Sequence, residues 1–160
     1  MILRSYQKRL VEKAERALKD HGNTLACAAT GAGKTIMLAA LAKKMRGKSG
    51  KALVLQHRDE ILTQNLKKFL KVNPGERVSI YNADTKSFHG DSTFAMQQTL
   101  ARNLDAIPHL DLLIVDEAHH LAAPTYASII EAAKDKNPNL MLAGFTATPE
   151  RADNGLNSTL

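Results

Sequence analysis

Apolar residues at the start of the chain fall at helical spacing. Leu3, Leu10, Val11, Ala14, Ala17 and Leu18 share one face, and Gly22 offers a stop, so an amphipathic helix is predicted. A short apolar run, Thr24–Ala29, comes next, then a glycine-containing turn, then Ile36–Met45 with helix-favouring composition. The order is strand, loop, helix. Ala52–Gln56 reads as a buried strand, and Asp59–Leu70 as a helix with Ile61, Leu62, Leu66 and Phe69 inward.

The alternation continues to the end. Asn73-Pro74-Gly75 marks a turn, and short strands are predicted at Val78–Tyr81 and Thr93–Met96. Leu112–Val115 is a fully apolar strand bounded by Asp111 and Asp116. Thr125–Lys134 reads as a helix, Asn137-Pro138-Asn139 as a turn and Leu140–Phe145 as a last strand. Continuous apolar strands separated by helices predict an α/β fold with a mostly parallel sheet covered on both faces. The polar stretch 82–92 is expected to be a mobile loop, and the tail Arg151–Leu160 to have turn character with no element of its own.

The totals narrow the class. The 160 residues fit one domain, and a chain of that size buries about two thirds of its unfolded surface. Aromatics make up 4% with no Trp, so no rich stacking platform for single-stranded bases is available. The net charge of +6 suits a polyanionic partner. Basic clusters at Lys43, Lys44, Arg46, Lys48 and Lys51, and at Lys67, Lys68 and Lys71, read as solvated faces ahead of phosphate contacts. The lone Cys27 excludes an internal disulfide and is expected to be a small buried thiol. No secretory h-region opens the chain and no apolar stretch is long enough for a membrane span, so a reducing, cytoplasmic setting without a membrane is expected.

Chemistry concentrates in Ala28-Ala29-Thr30-Gly31-Ala32-Gly33-Lys34-Thr35, placed after a predicted strand and before a predicted helix. That is the context of a phosphate-binding loop. Gly31 and Gly33 let backbone amides approach phosphate oxygens, and the helix N-terminus adds positive potential. Lys34 can reach the β- and γ-phosphates and the Thr35 hydroxyl can ligate Mg²⁺. Ala28 stands where the strict pattern has glycine. Asp116 and Glu117, at the end of the apolar strand, supply the acidic complement: Asp116 for Mg²⁺, Glu117 to polarise the attacking water. Such a carboxylate is expected beside the loop of a neighbouring parallel strand. His119 and His120 lack zinc spacing, and His119 is better placed to relay the nucleotide state.

Asp116-Glu117-Ala118-His119 resembles the DEAH signature of superfamily 2 helicases and translocases, and Ala29–Thr35 is similar to their first motif. The resemblance covers nearly the whole chain. It implies a RecA-like P-loop NTPase, a three-layer sandwich, with ATP and Mg²⁺ as cofactors. Arg4 and Gln7 look like the upstream adenine-recognising element, with Thr30, Gly31, Ala32, Gly33, Lys34 and Thr35 completing the nucleotide cradle. Val54–Gln64 resembles motif Ia, making His57, Arg58 and Gln64 candidate nucleic-acid contacts, joined by Gln98 and Thr99 in Met96–Leu100. Phe145–Arg151 resembles motif III, where Thr146 and Thr148 couple hydrolysis to movement by bonding Asp116, His119 or both. The tail is similar to the linker of the branch holding bacterial and phage DEAH helicases and restriction translocases.

In that family the ATP site lies between two RecA-like domains. Residues 1–150 are expected to be the first, and 151–160 the start of a linker to a second. The expected partner is nucleic acid, DNA ahead of RNA. A duplex translocase subunit and a non-enzymatic nucleotide-dependent binding module are the alternatives.

Overall fold

The computed structural model describes residues 3–27, 33–118 and 121–146, together with the backbone of Leu156–Asn157. Six parallel strands form the sheet: β1 (Asn23–Cys27), β2 (Ala52–Gln56), β3 (Val78–Tyr81), β4 (Ser92–Met96), β5 (Leu112–Asp116) and β6 (Met141–Thr146). A two-residue β7 (Leu156–Asn157) adds antiparallel to β1, giving the order β3-β4-β2-β5-β6-β1-β7. The tail therefore does carry an element. Two residues are too few to show a period, and it is the open edge of β1 that gives them a strand to pair with.

Helices α1 (Ser5–His21), α2 (Lys34–Arg46) and α3 (Asp59–Val72) cover one face. The other face carries α4 (Gln97–Ala101), a 3₁₀ turn at Leu104–Ala106 and α5 (Pro124–Lys136). The result is a three-layer α/β sandwich. Strand alternation divides the core. Ala52, Val54, Leu112 and Ile114 face the first helical layer, while Leu53, Leu55, Leu113 and Val115 face the second. Five consecutive buried residues on β2, β4 and β5 follow from burial on both sides. Helix α4 escaped the pattern because one turn of QQTLA is shorter than any periodicity it could display.

Gly22 caps α1 in the left-handed region, at φ 80°. A Cβ there would meet nothing, so only backbone strain opposes Gly22→Ala. We expect a loss of about 1 kcal/mol in urea unfolding, and an unchanged midpoint would contradict the left-handed cap.

Three expectations need correction. Residues 82–92 are not a free loop but are tied to the sheet: Ser87 N donates to Ile80 O (3.1 Å), Gly90 N to Ser79 Oγ (2.5 Å), and Ser92 belongs to β4. Arg46 and Lys51 are not solvated. Arg46 donates from Nε and Nη2 to both Glu76 oxygens (2.7 and 2.6 Å), and Lys51 Nζ donates to Phe88 O and Gly90 O (2.6 and 3.0 Å). Sequence spacing shows which face a lysine occupies and not which loop lies over it. Cys27 is only half-buried, because β1 runs near the sheet edge.

Candidate nucleotide site

The chemistry-bearing residues gather at the carboxyl ends of the parallel strands, where open α/β sheets bind ligands. Lys34 and Thr35 open α2 after β1. His57 and Arg58 follow β2, Gln98 and Thr99 follow β4, Asp116 and Glu117 close β5, and Thr146 ends β6. Residues 28–32, His119, His120 and 147–155 lie outside the described residues. The expected roles of Thr30, Gly31, Ala32, His119 and Thr148 therefore stay as sequence expectations.

Lys34 holds the two acids together. Its ammonium lies 2.7 Å from Asp116 Oδ1 and 2.8 Å from Glu117 Oε1. Burial works against this cation, but the Asp116 carboxylate, helped by Glu117, outweighs it and holds the pKa above the ordinary lysine value. β5 is not the neighbour of β1, as the sequence had suggested, because β6 stands between them. The gap is closed by α2, which follows β1 and packs across to β5, so the long lysine side chain spans the distance.

Glu117 has φ 59°, in the left-handed region, and its N–H donates to Asp116 Oδ1 (3.0 Å). A non-glycine residue held there costs of order 1 kcal/mol, a cost that clusters at functional sites. The turn brings the Glu117 carboxylate back to Lys34. Gly33 has φ 77°, and a Cβ on it would run into the Gln7 amide. The left-handed backbone favours glycine at this position, and any side chain there would have to displace the Gln7 amide. Gln7 is 5% exposed and its Oε1 accepts from Arg4 N (2.9 Å), which fixes the amide against the loop. Arg4 itself is exposed at the N-cap of α1.

Asn65, on α3, was missed by sequence reasoning. It is 7% exposed, its Oδ1 accepts from Thr35 Oγ1 (2.9 Å), and its Nδ2 donates to Asp116 Oδ2 (2.9 Å) and Gln56 Oε1 (3.3 Å). Alternation explains the meeting. Gln56 and Asp116 continue the Ala52–Val54 and Leu112–Ile114 rows, which face α2 and α3. The available signal was a polar residue within the inward stripe Leu62, Asn65, Phe69. On the second face, Tyr126 is buried on α5, and its phenol is pushed up to about 12 by burial and by the charges of Asp116 and Glu117.

The outer candidates are less closely joined. Arg58 and Gln98 are exposed, while His57 and Thr99 are half-buried. All four follow the carboxyl ends of β2 and β4, the same end of the sheet as Asp116. Gln64 sits further along α3 on its exposed side. Thr146 is 6% exposed and pairs with Cys27, and alternation places it on the face opposite Asp116.

Six parallel strands with a glycine–lysine–threonine helix start facing an Asp-Glu strand end make the arrangement of a P-loop nucleotide-binding domain. The chain belongs to the family described as Type III restriction enzyme, res subunit, whose model matches residues 1–151. It is similar to IRC3 of Saccharomyces cerevisiae, which carries the name of an ATP-dependent helicase, with 31% identity over 95% of this chain and 24% of that protein. The irc3 protein of Schizosaccharomyces pombe, named for a mitochondrial ATP-dependent helicase, is 33% identical over 94% of this chain and 27% of its own length. The chain thus spans about a quarter of these relatives. In fold it matches the UvsW helicase of bacteriophage T4, with a TM-score of 0.73 at 19% identity, over 97% of this chain and 55% of that one. Membership carries nucleotide use with it. Among the described residues no helix is long and apolar enough to cross a membrane.

Proposed function

We propose that this chain is the first RecA-like domain of a DEAH-type, nucleic-acid-dependent ATPase that hydrolyses ATP with Mg²⁺ to drive unwinding or translocation. The observation that carries it is the Lys34 ammonium held on Asp116 and Glu117 at the mouth of the sheet. A cation pinned on two acids is the resting form of a site whose lysine transfers to phosphates when nucleotide enters. Mg²⁺ fits the donor set, because the Thr35 hydroxyl and the Asp116 carboxylate are hard oxygens linked through one amide. Bound there with nucleotide, the ion would neutralise charge on the phosphates.

The remaining roles fall to this chain's own groups. Lys34 neutralises the phosphates, and Glu117 orients and deprotonates the attacking water. Gln7, fixed against Gly33, reads the adenine edge with Arg4 beside it. His57, Arg58, Gln98 and Thr99, with Gln64 as an outer contact, hold the phosphodiester backbone of DNA or RNA. Thr146, Thr148 and His119 relay nucleotide state to those contacts.

A second RecA-like domain completes the site, since an arginine supplied from a partner domain is worth about 10³–10⁵ in rate, while Leu156–Asn157 return to the edge of this sheet beside β1. Steady-state ATP turnover of the 160-residue chain, with and without DNA or RNA, tests this against a Lys34→Ala background. The expected result is Lys34-dependent nucleotide binding with turnover near background. Robust turnover by the chain alone would sink the two-domain requirement, and nucleotide binding that ignores Lys34 would sink the site.

A further inference from the structure

Three asparagines are buried in the described structure, and they do different things. Asn73 and Asn137 end α3 and α5, and each donates its Nδ2 to a main-chain carbonyl, Ala39 O (3.0 Å) and Leu110 O (2.7 Å). They fasten helix ends to neighbouring backbone. Asn65 touches no backbone in this way. Its three partners are side chains, and two of them are the oxygen donors Thr35 and Asp116.

The chemistry of these partners fixes which way the amide points. An ionised carboxylate only accepts, so Nδ2 must face Asp116, and Oδ1 must then face Thr35. The Thr35 hydroxyl proton is consequently committed to Asn65, which leaves the oxygen lone pairs directed elsewhere. On Asp116, Oδ2 is held by Asn65, while Oδ1 carries Lys34 and the Glu117 N–H. When Lys34 departs to phosphate, the carboxylate keeps its orientation through Asn65. Gln56, 0% exposed, accepts from the same Nδ2 (3.3 Å) and so blocks rotation of the amide from behind. A leucine would fill the stripe between Leu62 and Phe69 with ordinary apolar packing. A buried amide is tolerated there because its hydrogen bonds are made.

We infer that Asn65 is a positioning residue for the divalent cation that accompanies nucleotide, presetting the Thr35 hydroxyl and the Asp116 carboxylate as a pair of oxygen ligands. The inference rests on the nucleotide-site reading above and extends it to a residue outside the phosphate loop and the acidic strand end. It predicts a defect in metal coupling and not in nucleotide affinity as such. Lys34 and the loop grip the nucleotide whether or not Asn65 is present. Only the gain from adding metal needs the preset pair.

The test uses the full chain and N-methylanthraniloyl-ATP as the fluorescent probe, titrated once with Mg²⁺ and once with excess EDTA. The readout is the ratio of the two affinities. Asn65→Leu should lower that ratio by about 10- to 100-fold, the usual cost of losing a group that orients a metal ligand, with the EDTA affinity kept. A folded variant with the parent ratio overturns the inference, as does a loss shared equally by both titrations, which would mark Asn65 as packing alone. Should Asn65→Leu fail to fold, Asn65→Ala is judged on the same ratio. The unsubstituted protein gives a variant-free check: the Asn65 side-chain amide NMR signal should shift when Mg²⁺ joins bound nucleotide, and a signal that stays put refutes the proposal. Failure of the underlying site looks different. The parent itself would then bind no probe, or bind it equally well after Lys34→Ala.

Discussion

Lys34→Ala should reduce ATP turnover of the protein that carries this domain by at least about 10²–10³-fold, the usual loss when one preorganised charge at a developing anion is removed. The substitution should also weaken the fold. Asp116 is 1% exposed on its side chain, and without the ammonium it keeps Asn65 and the Glu117 N–H but no countercharge. Breaking a buried pair costs about 3–5 kcal/mol, and the lower end applies because Lys34 and Glu117 are 20% and 24% exposed. The two effects separate in the double variant Lys34→Ala, Asp116→Asn. It should recover part of the stability in urea unfolding, since the uncompensated charge is gone although the new amide has one acceptor oxygen for two N–H donors, and none of the turnover. A double variant as unstable as the single one would show that Lys34 stabilises by packing and not by charge. Because the Lys34 pKa is raised, the contribution of the pair is complete below the unfolded lysine value of about 10.4. On the alkaline side it is lost as pH rises through the higher folded value, so measurements near neutrality read the lysine's contribution in full.

The second large effect is expected far from the site. Glu76→Gln should destabilise the domain by about 3–5 kcal/mol, since it leaves the Arg46 guanidinium facing a neutral amide. The two side chains are 2% and 10% exposed and form a two-pronged pair at 2.6 and 2.7 Å, with Ser92 Oγ donating a third bond at 2.7 Å. This clasp joins the end of α2, the α3–β3 connection and the start of β4, and so anchors the helix that carries Lys34. Burial pushes the Glu76 carboxyl upward, but the Arg46 and Ser92 hydrogen bonds outweigh it and leave the pKa below the ordinary 4.5. A depressed carboxylate contributes in full above its unfolded pKa and ceases to contribute as pH falls through its folded one. The stability gap between parent and Glu76→Gln should therefore be constant near neutrality and narrow below pH 4.5. A gap that widened in acid would contradict the ion-pair account.

Much of the architecture was legible in residue order. Strand boundaries at Ala52–Gln56 and Val78–Tyr81 match the structure, because apolar runs between turn signals leave little choice of register. Lys34, Thr35, Asp116 and Glu117 were legible because their chemistry depends on local context, a glycine-rich strand-to-helix turn and an apolar strand ending in acids. Gly22 was legible as a helix stop, and the structure adds the reason, a left-handed φ that Gly33 shares.

Tertiary structure decided everything that depends on which strand lies beside which. The strand order puts β6 between β1 and β5, so Lys34 reaches Asp116 by way of α2 and not across adjacent strands. Asn65 lies 51 residues before Asp116 and 30 after Thr35, and the three meet only because their elements share one face of the sheet. Arg46 looked like one cation among several until the fold laid Glu76 against it. Periodicity reports the direction a side chain takes from its own element. What it meets there is set by how separate elements pack, a choice made by total burial and hydrogen-bond satisfaction over the whole chain.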